Sequence, residues 1–347
     1  MEAYRCPHNP IIKPSDIEPS QEDFKVIGVF NAGVARLGDE VILLVRVAEK
    51  PISRHPELVL AAIYDVDRQR IVLKDFATED PNNDFSDSRL IITPQGTYLT
   101  SISHLRIARS TDGVNFQIAS TPALAPLNDY ETFGIEDPRI SFIDGLYYIN
   151  YVAVSQLGVT TALAATLDFQ SFERHGVIFC PDNKDVVIFP ERIKGNYYAL
   201  HRPDSGLFHK QDIWIADSLG LRCWGHHRCL MGTRQGLWDQ VKIGASAVPF
   251  KTPQGWIEVY HGVDENNRYC LGAVLLDAAE PWKVLARSDE PIFEPQTDYE
   301  CEGFFGNVVF SCGLLCEDDK LKIYYGAADT TICYAELALK DVLQSLE

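Results

Sequence analysis

One phrase recurs along the chain: a short apolar run, a tight turn carrying glycine, then an aromatic or β-branched run. Its six copies begin at Val34, Ser88, Pro138, Glu191, Ser246 and Asn307, spaced roughly fifty to sixty residues apart. The turns Leu37-Gly38-Asp39, Gln95-Gly96, Asp144-Gly145, Lys194-Gly195-Asn196 and Gln254-Gly255 are hairpin chemistry, because glycine adopts positive φ without steric cost. The flanks alternate, as in Leu146-Tyr-Tyr-Ile-Asn-Tyr-Val152, with the two-residue period of a half-buried strand. After most copies comes a second apolar stretch, so each unit holds about four strands. Four-stranded units at this period, without amphipathic crossover helices, predict an all-β propeller. Only 335–347 reads as a helix, at the C-terminus. The copies are compatible with five or six blades, since the first and last units can combine to close the ring. No Gly-, Ser- or Pro-rich linker divides the chain, and 1–347 is read as a single propeller domain.

Composition narrows the functions available. The formal net charge is −18, which opposes phosphate backbones and anionic membranes, so neither nucleic acid nor membrane is an expected partner. The opening residues lack a signal-peptide layout and no stretch reads as a transmembrane helix, so a cytoplasmic location is expected. The nine cysteines are scattered without zinc-site spacing. They read as reduced thiols, and no metal is expected.

A propeller gathers equivalent positions of different repeats at its hub, so polar residues that the strand pattern does not need should converge there. Asn31, Asp87 with Arg89, Glu136 with Asp137, and Glu191 enter successive inner strands. Pro138 restricts Asp137 to extended geometry, which suits a carboxylate that must stay in place. Near the ends of second strands lie Arg46, His201 with Arg202, Tyr260 with His261, and Asp329, while Lys184 and Lys242 lead into later units. Against the acidic background, these cations read as a pocket for a small anion. Tyr147, Tyr148, Tyr151, Tyr197, Tyr198, Trp238, Trp256, Tyr260, Tyr299, Phe304 and Phe305 are expected near the channel, where rings with polar handles suit sugar faces.

Together these residues resemble glycoside hydrolase family 130. The resemblance is carried in order by Phe30-Asn-Ala-Gly33, Arg46-Val47, Glu136-Asp-Pro-Arg-Ile140, Pro181-Asp-Asn-Lys-Asp185, Phe189-Pro-Glu-Arg-Ile193 and His201-Arg-Pro203. It continues through Lys242-Ile-Gly244, Tyr260-His-Gly-Val263 and Tyr325-Gly-Ala-Ala-Asp329. It implies a five-bladed propeller acting on β-mannosides. Most members are inverting phosphorylases that release α-mannose 1-phosphate, and a minority are hydrolases. The resemblance makes Asp137 the general acid, working through a hydroxyl of the bound mannose.

Phosphate is already a nucleophile, so phosphorolysis needs a cationic cradle instead of the second carboxylate of an inverting hydrolase. The expected cradle is Arg46, Lys184, Arg202, Lys242 and His261. Asn31, Asp87, Arg89, Glu136, Glu191, His201, Tyr260 and Asp329 are expected around the sugar. The expected ligands are a short β-1,2-mannoside such as mannobiose and inorganic phosphate as co-substrate, with no cofactor. A homo-oligomer is compatible with the sequence. The rival readings are an inverting β-mannosidase, with Glu57 or Glu191 as base, and a non-catalytic sugar-binding propeller.

Overall fold

The computed structural model describes residues 2–204, 206–208 and 211–347. Five antiparallel sheets follow one another around a central axis. Blade one pairs Phe24–Leu37, Glu40–Pro51, Ile102–Ser110 and Gln117–Ile118. Blade two runs from Ile135 to Phe179, blade three from Asn183 to Met231, and blade four from Lys242 to Arg287. Blade five takes Val309–Glu317, Lys320–Ala327 and Thr331–Ala338, and its fourth strand is Tyr4–Arg5 from the other end of the chain. The chain is thus a five-bladed propeller closed by its N-terminal strand.

Six phrases make five blades because one copy is an insertion. The run starting at Ser88 forms the small hairpin Leu90–Thr93 with Gly96–Leu99. A second hairpin, Leu58–Asp65 with Arg70–Ala77, precedes it. Both lie between the second and third strands of blade one. The C-terminal helix is shorter than its residues suggest: Thr331–Ala338 is still strand, and the helix spans Leu339–Gln344. Pairing with both Lys320–Ala327 and Tyr4–Arg5 holds Ala335–Ala338 extended despite good helix formers. No helix of the described residues is long and apolar enough to cross a membrane.

The core lies between blades. Ile42, Leu44, Ile140 and Ile149 join blades one and two, while Leu163, Ile188 and Tyr197 join two and three. Phe189, Leu200, Trp256 and Tyr260 join three and four. Val259, Leu271 and Tyr325 join four and five, and Val29, Val34 and Tyr334 join five and one. Most of the aromatic residues expected at the channel are consumed here, since rings are good strand formers that fill the wedge between sheets. Phe304 alone of that set lines the central cavity.

Three blades are pinned in the same way, by a buried acid gripped from the second and fourth strands. Glu131 accepts from Tyr151 and Arg174, Asp239 from Tyr260 and Arg287, and Glu300 from Tyr325 and Arg5. All three acids are fully buried. Each is paired and bonded by hydroxyl and guanidinium, and removing one partner would leave a buried charge at a cost of about 3–5 kcal/mol. In blade three the corresponding contact is made by His201 and His227, with His201 Nε2 and His227 Nδ1 3.0 Å apart.

Candidate active site

The hub is built on three β-bulges. Each inserts a residue where strand one meets strand two, between Phe30 and Gly33, Glu136 and Arg139, and Lys184 and Val187. Asn31, Asp137 and Asp185 occupy them with φ of 52°, 47° and 52°, so Asp137 is left-handed and not extended as the following Pro138 predicts, because the bulge sets its backbone. That left-handed conformation is tolerated best by Asn and Asp among side-chain-bearing residues, and a bulge re-aims the side chain it carries. The register fixes the neighbours: Phe30 pairs with Arg46, Lys184 with Arg202, and Gly244 with His261.

These residues enclose a cavity of about 350 Å³, within the roughly 300–1,000 Å³ of small-molecule sites. Asn31, Arg46, Glu136, Asp137, Lys184, Arg202, Lys242, His261 and Asp329 line it. The blade-one insertion contributes Arg89, Leu90, Leu99 and Ser101 to the lining, as does Phe304 from the segment before blade five.

Asp137 Oδ1 accepts from Asn31 Nδ2 and Arg46 Nη1, each at 3.0 Å. Arg46 also donates to Glu136 Oε1 at 2.7 Å. Burial raises the Asp137 pKa, but Arg46, Lys184 and Arg139 outweigh it, so the carboxyl is held below its ordinary value. Asp329 goes the other way: burial and the Asp137 and Glu136 carboxylates push it up to about 6 despite Arg46 and Arg89. Two neighbouring acids are thereby pushed apart in proton affinity.

Across the cavity, Asp185 is buried beneath the cations. Its Oδ2 lies 2.8 Å from Arg202 Nη1, and its Oδ1 accepts from Arg139 at 3.2 Å. Arg139, fully buried, also donates to the Asp137, Ala245 and Ser246 carbonyls, tying three blades together at the axis. Burial opposes the Asp185 charge, but Arg202, Arg139 and Lys184 hold it firmly ionised.

The cations above Asp185 are under-compensated. Arg202 is 5% exposed and its Nε has no acceptor. Among the described residues neither Lys184 nor Lys242 has a carboxylate at ion-pair distance, and Lys242 Nζ lies over the Tyr269 ring, 4.8 Å from its centroid. Burial, with Arg202 next, lowers the Lys242 pKa to about 8. His261 is lowered to about 3, mainly by burial, so it is a neutral ring and not a cation.

Five residues expected at the site lie elsewhere. Asp87 does not line the cavity; it holds Arg89 through bonds of 2.9 Å to Nε and 2.6 Å to Nη2. Glu191 is at the surface with Lys251, and Glu57 is exposed beside His55. His201 is buried, stacked on Phe179 and bonded within blade three. Tyr260 stacks on Trp238 and belongs to the Asp239 pin. Alternation explains the last two: the second-strand neighbours Arg202 and His261 face the hub, so His201 and Tyr260 face away from it. Asp185, Tyr269, Phe30 and Phe310 line the cavity without having been expected there. Asp185 was discernible as one more Asx residue entering an inner strand, at the end of Pro181-Asp-Asn-Lys-Asp185.

A propeller hub that gathers Asp137, Glu136 and Asp329 with a surplus of cations in one cavity defines a carbohydrate-active enzyme equipped to handle an anion. The chain belongs to glycoside hydrolase family 130: the family profile, described as beta-1,4-mannooligosaccharide phosphorylase, matches residues 89–347. It is 49% identical to the beta-1,2-mannobiose phosphorylase of Listeria innocua, over 100% of this chain and 99% of that protein. It is 39% identical to the 1,2-beta-oligomannan phosphorylase of a Thermoanaerobacter species, over 88% of this chain and 98% of that one. The Listeria innocua enzyme in complex with beta-1,2-mannobiose superposes with a TM-score of 0.97, covering 100% of this chain and 99% of that one.

Proposed function

We propose that this enzyme catalyses inverting phosphorolysis of a short β-1,2-mannoside, with mannobiose as the simplest substrate. The observation that carries this reading is the group of unpaired donors at the hub, Arg202 Nε with Lys184 and Lys242, facing Asp137 across one cavity. Three cations around one buried carboxylate, with the Arg202 Nε donor unsatisfied and both half-buried lysines without a carboxylate, leave positive charge to be offset, and inorganic phosphate supplies both charge and nucleophile. In this reading Arg202, Lys184 and Lys242 hold phosphate in line with the anomeric carbon. A phosphate oxygen bonds to C1 as the glycosidic C–O bond breaks, giving α-mannose 1-phosphate. The departing mannose takes a proton through a mannosyl hydroxyl from Asp137, whose proton affinity rises once bound phosphate offsets Lys184 and adds its own negative charge, and the hydrogen carried in by HPO4²⁻ restores the acid. Asn31, Arg46, Glu136, Arg89 and Asp329 surround the sugar on the acid side. Relatives with β-1,2 names align with nearly the whole chain, which supports that linkage. The reaction so written uses no cofactor, and nine free thiols accord with a cytoplasmic setting.

The hydrolytic alternative needs a second carboxylate about 6.5–9.5 Å from the acid to activate water. Glu57 and Glu191 lie outside the cavity, and Asp185 is engaged by two arginines. The test is incubation with β-1,2-mannobiose with and without phosphate, followed by ³¹P NMR. Phosphate-dependent mannose 1-phosphate is expected; free mannose produced without phosphate would overturn the reading.

A further inference from the structure

At the wall of the proposed phosphate cradle a buried relay begins, and its inner members Ser246 and Glu258 do not line the cavity. His261 is 1% exposed, and its two ring nitrogens have different partners. Nε2 lies 3.3 Å from Arg202 Nη1, whose hydrogen points at it, and Nδ1 lies 3.3 Å from Ser246 Oγ. Asp185 Oδ2, 3.4 Å from Nε2, makes no hydrogen bond to the ring. The guanidinium can only donate, so Nε2 must accept, which places the ring proton on Nδ1 and makes Ser246 Oγ its acceptor.

Ser246 is itself fixed. Its backbone N–H donates to the fully buried Glu258 Oε1 at 3.1 Å, and its carbonyl accepts from Arg139 at 3.2 Å. Gly244 leaves the space the ring occupies: a Cβ there would collide with His261 Cε1 and Asp185 Oδ2. The result is a chain running from Glu258 through Ser246 and His261 to Arg202. It holds Arg202 by Nη1 and leaves Nε, the donor without an acceptor, for the anion.

We propose that Ser246 is a positioning residue for the nucleophile: by fixing the His261 tautomer it sets the orientation of the Arg202 guanidinium. This rests on the phosphorolytic reading above. Without the Ser246 hydroxyl, the Nδ1–H would be a buried donor with no acceptor. The proton would move to Nε2, where it opposes Arg202 Nη1–H and turns toward Asp185. Loss of one buried hydrogen bond typically shifts an equilibrium by about two- to tenfold.

The experiment uses ¹⁵N-histidine-labelled protein, Ser246→Ala and Ser246→Thr. Long-range ¹H–¹⁵N spectra, with the His261 signal assigned by its loss in His261→Gln, should show an Nδ1–H ring in wild type and Nε2–H in Ser246→Ala. The phosphate KM of Ser246→Ala should rise about fivefold, with kcat and the mannobiose KM within twofold of wild type, and Ser246→Thr should restore it. An Nε2–H ring in wild type, an unchanged phosphate KM in Ser246→Ala, or an equal rise in both KM values would overturn the proposal. Should Ser246→Ala fail to fold, the wild-type spectrum decides alone. Phosphate-independent release of mannose by wild type would instead defeat the phosphorolytic reading, and the tautomer spectrum would still report on the relay.

Discussion

Replacing Arg202 by Ala tests the cradle where it is most exposed to refutation. Arg202 Nη1 is committed to Asp185 and His261, while Nε, buried, has no acceptor. A phosphate charge about 4 Å from the guanidinium would gain ~4 kcal/mol at an effective dielectric near 20. A charge-assisted hydrogen bond, measured by deletion, is worth about 1.5–3 kcal/mol. Part of the gain offsets the cost of keeping three cations together, so about 2–3 kcal/mol of transition-state stabilisation should disappear. That is roughly a 30- to 150-fold fall in kcat/KM for phosphate. The fold should survive at reduced stability, because Asp185 loses one buried partner but Arg139 still bonds its Oδ1. Initial rates with phosphate varied at saturating mannobiose, and the reverse, separate the two constants, while mannobiose binding to the variant should match wild type within twofold. Equal losses for both substrates, or less than threefold for phosphate, would show that the guanidinium does not meet the anion.

Three further outcomes follow from the same geometry. Asp137→Asn should lower turnover about 10²–10⁴-fold, the range of a general acid, with an unchanged circular dichroism spectrum; substantial activity would reject the acid assignment. Tyr260→Phe should cost about 1–3 kcal/mol in denaturant melts, since Asp239 and Arg287 both bond the hydroxyl, and leave both KM values alone; a KM change without destabilisation would return Tyr260 to the site. The Asp329 pKa of about 6 sits above its unfolded value near 3.8. The folded state therefore binds the extra proton, and its stability advantage is complete below about pH 4 and lost as pH rises through 6. Asp329→Asn should remove that slope and raise stability at pH 7 by about 3 kcal/mol while lowering activity, and pH-resolved urea melts would show an unchanged slope if the carboxyl were ordinary.

The repeated hairpin phrase made the propeller legible because each blade must bury both faces against its neighbours. The copies outnumber the blades by one because a hairpin with the same grammar, Leu90–Leu99, is an insertion and not part of the ring. Arg46, Asp137, Arg202 and Asp329 were readable as polar residues in positions that strand alternation did not require. His201 and Tyr260 were misplaced by one residue of that alternation, which swings a side chain from the hub to the blade pin. The role of Asp185 could not be separated from that of its neighbour Lys184 until the bulge fixed which of them points beneath the cations. Ser246 left no sequence signal, since its place depends on a histidine fifteen positions away across a hairpin.

The most direct measurement is a crystal structure of Asp137→Asn with phosphate and β-1,2-mannobiose bound together. Phosphate is expected within hydrogen-bond distance of Arg202 Nε and both lysine ammonium groups, on the opposite face of the sugar from residue 137. A water held there by a carboxylate, with phosphate outside the cavity, would contradict that arrangement.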